Sequence, residues 1–347
     1  MSSSADEGPA TGAPATPETD KRPIFKRTWF VISAVIAGFL VVLAVVGAIS
    51  RSTSSTAAPA VTVAPAVTPT LPPVTWYWTM AVSPTDPNVL ALGTSSGVYR
   101  SADGGKTWTL TGLKGINTTS VVQSGNSFFA AGVHSAFTAG PVVTAVKGGL
   151  KQRSAPPGPA VFATSSDGGK TWTTLKPKGL PKVAVQSLSV DPSDPKTMYA
   201  ITTSGAFYKS SDGAHSFAVV SPKLGIPPWA LAVTQGTNFV SGDMDNGSHT
   251  SSNGKTWTAT PFTDGRGTHM VMEYAVQPGD TSHIIMSSIG IELSTDGGKS
   301  WSPALKSTVM FGPIAWASGS SGVAYAAGFD GSVWHSTDGG KSWTPAT

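Results

Sequence analysis

The sequence predicts an all-β, six-bladed β-propeller of four-stranded antiparallel blades, preceded by one transmembrane α-helix. Three observations carry this reading. A short turn motif recurs six times, each repeat holds four strand-like runs, and one charge-free apolar segment lies near the N-terminus.

The motif first occurs as SADGGKTW at 101–108 and returns as SSDGGKTW (165–172), SSDGAHSF (210–217), SSNGKTW (251–257), STDGGKSW (294–301) and STDGGKSW (336–343). Measured at the closing aromatic, the steps are 64 residues from Trp108 to Trp172, then 45 to Phe217, 40 to Trp257, 44 to Trp301 and 42 to Trp343. Repeats of this period with four strands each stack as blades around an axis, because every sheet then buries its faces against its neighbours. Within 188–220 the runs LSVD, TMYAITT, AFYKS and SFAVV read as the four strands, with Pro, Asp and Gly turns between them. The 39 glycines and 27 prolines suit such dense punctuation better than long helices. A seventh, degenerate blade, or a strand lent across the termini, is open through AVTVAPAV at 60–67. Six blades with that stretch left free is the preferred count.

Every position of the turn has a structural task. Asp103, Asp167, Asp212, Asn253, Asp296 and Asp338 can accept bonds from nearby backbone amides, and the glycines permit left-handed backbone. Trp108, Trp172, Phe217, Trp257, Trp301 and Trp343 bury a large apolar surface, with each indole N–H requiring a polar partner. Six copies in one chain are folding elements, since repetition of a fold implies no chemistry. These turns resemble Asp-box, or BNR, repeats, and the resemblance runs from about Trp76 to the C-terminus. It implies the propeller and leaves the activity open, because sialidases, sortilin-type receptors, xyloglucanases and a photosystem II assembly factor share the blade and differ in what they do.

Residues 1–28 are rich in Ser, Thr, Pro and Ala and read as a disordered cytoplasmic tail. Residues 29–50, WFVISAVIAGFLVVLAVVGAIS, carry no charge and are long enough to cross a bilayer as a helix. Lys21, Arg22, Lys26 and Arg27 precede them and only Arg51 follows closely, which places the N-terminus in the cytoplasm. A cleaved signal peptide is the rival reading; the length of the apolar core and of the polar stretch before it favours an uncleaved anchor. Residues 51–75 read as a semi-extended stalk and 76–347 as the propeller, outside a cytoplasmic membrane crossed once. The absence of cysteine excludes disulfides, thiolate metal sites and cysteine nucleophiles, and in an exported domain of this size it points to a bacterial source. From residue 76 onward 18 Lys and Arg face 15 Asp and Glu, scattered through turns, so nucleic acid is not indicated.

A catalytic set is hard to assemble. The resemblance to sialidases implies three arginines around a carboxylate, a Tyr nucleophile with a Glu partner, and an Asp acid/base. The propeller holds only Arg100, Arg153 and Arg266, and Arg100 lies beside the first structural turn. Glu273 and Tyr274 are adjacent, but neighbours in a strand point to opposite faces. Xyloglucanases resemble two propellers facing across a cleft, and this chain has room for one. The carboxylates Asp243, Asp245, Asp264, Glu273 and Asp330 remain, of which Glu273 and Asp264 are the catalytic candidates. DMDNG at 243–247 lacks the Glu that closes a calcium loop and reads as a polar hairpin, so no metal or cofactor is expected.

Function is expected on the face opposite the repeated turns. Three features mark it: an insertion at 134–160 with Lys147, Lys151 and Arg153; the aromatics Trp76, Tyr77, Trp78, Trp229 and Phe311 at the starts of blades; and a loop with Asp264, Arg266, His269 and Glu273. Strand-edge packing and solvated loop polarity are the plainer explanations. Ligand-binding candidates are therefore Trp76, Trp78, Arg153, Trp229, Asp243, Asp245, Arg266, His269 and Asp330. The expected function is a membrane-anchored, extracytoplasmic, non-catalytic recognition or assembly module for a protein or glycan. The alternative is a glycoside hydrolase acting on surface polysaccharide.

Overall fold

A computed structural model describes residues 70–134, 142–146, 149–153, 160–224, 229–236, 238–243, 247–260, 270–317 and 322–346. These form an all-β propeller of four-stranded antiparallel blades, without helix. The expected tail, apolar segment and most of the stalk lie outside the described residues.

The first sheet contains β1 (Tyr77–Val82), β2 (Leu90–Thr94), β3 (Gly97–Ser101) and β4 (Thr109–Gly112) in chain order. The second contains β5 (Ile116–Ser124), β6 (Ser127–His134), β9 (Ala160–Ser165) and β10 (Thr173–Leu175). Between β6 and β9 falls the insertion, which carries a hairpin of its own, β7 (Val142–Val146) and β8 (Gly149–Arg153), not foreseen from the sequence. The third sheet is β11 (Val185–Asp191), β12 (Asp194–Thr202), β13 (Phe207–Ser210) and β14 (Ala218–Ser221); the fourth is β15 (Ala230–Gln235), β16 (Asn238–Asp243), β17 (Gly247–Ser251) and β18 (Thr258–Ala259). A six-stranded sheet completes the chain: β19 (Glu273–Gln277), β20 (Asp280–Ser294), β21 (Ser302–Trp316), β22 (Ala324–Gly328), β23 (Val333–Ser336) and β24 (Thr344–Pro345). Its two 15-residue strands each serve two ladders. β20 pairs with β19 at Tyr274↔Met286 and with β21 at Ile291↔Leu305, while β21 pairs with β22 at Ile314↔Ala326. The change of direction in β20 falls at Gly290, whose φ of +96° and whose approach to the Leu305 carbonyl both exclude a side chain.

The innermost strands stand side by side in the order β1, β5, β11, β15, β19, and β21 neighbours both β19 and β1, which closes a ring. The core lies between successive sheets. Ala81, Ala91 and Val98 of the first meet Val121, Phe128 and Ala130 of the second, and Tyr199, Ile201 and Phe207 of the third meet Leu231, Val233 and Phe239 of the fourth. At the seam, Met80, Leu90 and Leu92 pack with Ala315, Tyr325 and Val333 of the last sheet, joined by Leu71 and Ala346 from the two ends of the described chain. Thr70 and Leu71 donate their N–H groups to the Gly331 carbonyl at 3.0 and 3.2 Å, and Ala346 N–H reaches Val333 O at 2.8 Å. Residues near the end of the expected stalk are thus bound to the last sheet.

The repeated turns behave as their sequence requires. Asp103 Oδ1 accepts from the Ser101 hydroxyl (2.7 Å) and the N–H groups of Lys106 (3.1 Å) and Thr107 (2.9 Å), and Oδ2 accepts from the Thr107 hydroxyl (2.5 Å). Asp167, Asp212, Asp296 and Asp338 repeat the pattern; in the shorter fourth turn Asn253 accepts from Lys255 and Thr256. The Ser342 hydroxyl, ahead of the other bonds, holds Asp338 down to about 2. Trp108 and Trp343 donate to Gly105 O and Gly340 O at 3.0 and 3.1 Å. The expected indole partner is not found for Trp172 or Trp257, whose buried N–H groups make no hydrogen bond among the described residues.

Candidate functional site

In each antiparallel sheet the first–second and third–fourth connections lie at one end, and the second–third and sheet-to-sheet connections at the other. The Asp-box turns join third to fourth strands, so the loop face is opposite them. Trp76 and Trp78, the approach to β15 at Trp229, and the β22–β23 turn with Phe329 and Asp330 belong to that loop face.

Four aromatics run across its mouth. Phe329 meets Trp76 edge-on (ring centroids 5.5 Å apart), Trp76 stacks on Trp78 (5.7 Å, 22°), and Trp78 lies 6.2 Å from Trp229, tilted by 55°. All four are half-buried. Trp78 and Trp229 come from the first and fourth sheets, whose inner strands are not neighbours in the ring, so their contact crosses its opening. A break in the β1–β2 register between Tyr77 and Thr79 re-aims Trp78, as bulges do. Its indole N–H is fixed by Asn117 Oδ1 at the start of β5. Two of the other aromatics at blade starts are core residues: Tyr77 is buried with its hydroxyl on Pro72 O (2.7 Å), and Phe311 is buried against Trp334 (6.1 Å).

Below this strip lies Glu273, the first residue of β19. Its Oε1 accepts from the Thr79 hydroxyl of β1 at 2.6 Å and its Oε2 from the Ile314 N–H of β21 at 3.0 Å, and the Met80 N–H also contributes. One carboxyl therefore ties three inner strands at the place where the ring closes. Burial pushes it up to about 8 against these three hydrogen bonds, and no charged neighbour takes part. Tyr274 turns the other way, into the core beside Trp301 (5.6 Å), as strand alternation predicts. Comparable ties hold the other inner strands: Thr119 hydroxyl to Val185 O (2.7 Å), Leu188 N–H to Ser120 Oγ (3.0 Å) and Val233 N–H to Ser189 Oγ (2.9 Å).

The remaining candidates divide. Asp330 is exposed and caps its own turn, accepting from the Ser332 N–H (3.1 Å) and hydroxyl (2.6 Å). Asp243 ends β16 opposite Gly247, with 244–246 of DMDNG outside the described residues, and Arg153 ends β8. Asp245, Asp264, Arg266 and His269 lie outside the described residues. Among the described residues no group of three or more His, Cys, Asp or Glu side chains is placed to hold a metal ion, and no helix is long and apolar enough to cross a membrane. Sequence reasoning missed Phe329, Asn117 and Thr79. The first sits in a turn that reads as polar, and the others reach their partners only through the closed ring.

Three segments, 99–110, 292–303 and 334–345, match the BNR/Asp-box repeat family. Together with the fold they liken this chain to Asp-box β-propellers, with no specific member of that superfamily singled out. It is 32% identical over 220 residues to a probable oligoxyloglucan-reducing end-specific xyloglucanase of Neosartorya fischeri, covering 58% of this chain and 26% of that protein. It is 31% identical over 243 residues to the oligoxyloglucan-reducing end-specific xyloglucanase of Emericella nidulans, covering 63% and 29% respectively. The chain thus spans less than a third of the length of these relatives. Among solved structures it is similar to YCF48 bound to D1 peptide, with 18% identity, a TM-score of 0.44 and 82% of each chain covered.

Proposed function

We propose that this protein is a six-bladed propeller, anchored by residues 29–50 on the outer side of a cytoplasmic membrane, that recognises a glycan on its loop face without cleaving it. The aromatic strip Phe329–Trp76–Trp78–Trp229 carries the proposal, because half-exposed rings set along a line suit the apolar faces of successive sugar units. Six blades follow if each half of β20 and of β21 counts as a strand, which turns the last sheet into two blades and matches the closed order of inner strands. The two curated relatives are named for action on xyloglucan oligosaccharides, which favours a glycan over a protein ligand.

Hydrolysis is the second reading, favoured by the same relatives and by the raised Glu273 carboxyl, the condition a general acid needs near neutral pH. Against it, both Glu273 oxygens are occupied by strand-to-strand bonds, as the Thr119 hydroxyl is in its own tie. Glycosidases of the usual kind also need a second carboxylate across the sugar, and Asp264 is the residue the sequence offers. The deciding experiment is calorimetry of the full chain in detergent with xyloglucan-derived and other β-glucan oligosaccharides, run beside product analysis. Binding without product, weakened at least tenfold by Trp78→Ala, is expected. Turnover that disappears in Glu273→Gln would establish the hydrolase, and absence of both binding and turnover would overturn both readings.

A further inference from the structure

A different cleft opens on the Asp-box face, between the first and second sheets. It has a volume of about 410 Å³ and is walled by Thr85 and Asp86 of the β1–β2 turn, Asn126 of the β5–β6 turn, Ser127 at the start of β6, and Ser166, Asp167 and Lys170 of the second Asp box, with Arg100 of β3 between them. The Arg100 stem lies along the box, where a Cβ on Gly169 would sit 3.7 Å from its Cδ, and its Nε donates to Gly168 O at 2.7 Å. That single bond fixes the guanidinium plane and leaves the donors of both terminal nitrogens, which bond no other described residue.

The carboxylates nearby do not claim them. Asp167 is filled by the Ser165 hydroxyl, the Lys170 and Thr171 N–H groups and the Thr171 hydroxyl. Asp86 accepts from Asn88, and the Tyr325 phenol of β22 is raised first by burial and then by the Asp86 charge. A tie between sheets would need only the one N–H on Gly168. Counted from the serine that opens each box, the residue equivalent to Arg100 is Thr164, Lys209, Thr250, Leu293 or His335 in the other repeats, and Lys209 is engaged over the Tyr199 ring at 5.7 Å. The fork is peculiar to this cleft.

We infer that the cleft between the first two sheets binds a carboxylate-bearing sugar, a uronate, through a two-pronged pair with Arg100. A planar fork matches a carboxylate in geometry and charge, with Lys170 as a second cation. Hydroxyl and amide walls both donate and accept, which suits a polyol better than a bare anion. The volume falls within the range of small-ligand sites. This site is independent of the loop-face reading, and either can fail alone.

The test is ligand-observed NMR and calorimetry on the full chain with glucuronate, using glucose and inorganic phosphate as comparators, and Arg100→Gln and Asn126→Ala as variants. Glucuronate should bind, glucose should not bind at the same concentration, and affinity should fall at least tenfold in Arg100→Gln and several-fold in Asn126→Ala. Absence of glucuronate binding, equal binding of glucose, phosphate binding at least as tight, or unchanged affinity in Arg100→Gln would each overturn the inference. Asn126 lies in an exposed turn, so Asn126→Ala keeps the test decisive should Arg100→Gln fail to fold: unchanged affinity there overturns it too.

Discussion

Glu273→Gln removes an ionisable group from the point where β19, β21 and β1 are tied, and its consequence is a change in how stability follows pH. The carboxyl stands at about 8 in the folded chain against 4.5 as its ordinary value, because burial penalises the charged form. Between those values the folded state holds a proton that the unfolded state has released, so stability falls as pH rises. The contribution is fully present below 4.5 and lost as pH passes 8. One proton gives a slope of at most about 1.4 kcal/mol per pH unit and a ceiling of roughly 5 kcal/mol over the whole interval. Glutamine cannot ionise; one N–H of its NH₂ can replace the carboxyl proton by donating to the Thr79 hydroxyl, which in turn reaches Val121 O at 3.2 Å, but the second N–H is left without an acceptor at a cost of about 1–3 kcal/mol. At pH 5 the variant should therefore be the less stable protein, and by pH 9 the gap should close and reverse. Urea unfolding of both proteins from pH 5 to 9 measures this directly. Parallel curves, or a wild-type curve flat across that range, would refute a buried carboxyl at the ring closure.

Two further outcomes follow from the seam and the boxes. Leu71→Ala should cost about 2–5 kcal/mol, the range for truncating a buried leucine, although the residue precedes the first strand; a loss of less than about 1 kcal/mol in the free energy of urea unfolding would mean that the strap at Gly331 does not close the ring. Asp338 is held at about 2 by the Ser342 hydroxyl and its companions, so its stabilisation is complete above the ordinary value of 3.8 and lost as pH falls through 2. Asp338→Asn should flatten that acid limb in tryptophan-monitored acid unfolding, and an unchanged limb would show that the box bonds are not felt globally.

The parts of this molecule that the sequence discloses are those whose partners lie two to four residues apart. Asp103 and Thr107, or Ser101 and Gly105, make a turn whose chemistry is complete within eight residues, and its recurrence announces the blades. Glu273 and Thr79 are 194 residues apart and meet only once the ring is closed, so no local pattern could pair them. Trp78 points where it does because of a register break in β1, which alternation of side chains cannot foresee.

A usable signal was nonetheless present in the departures from the repeat. Aligned on the valine near the end of the inner strand in four of the repeats (Val82, Val122, Val190 and Val276), Glu273 takes the place held by Thr79, Thr119 and Ser187. A carboxylate where those three repeats carry a small hydroxyl marks a tie that has been given a charge to manage, just as Arg100 stands where its equivalents have no free fork. Repetition specifies the ring, and selection for a ring alone would leave these positions interchangeable. Glu273 therefore belongs first to the architecture. Any chemical role would require its proton to move without releasing Thr79 and Ile314, so a variant that kept the carboxyl but lost the Thr79 bond, Thr79→Val, should lower stability whether or not the protein acts on its ligand.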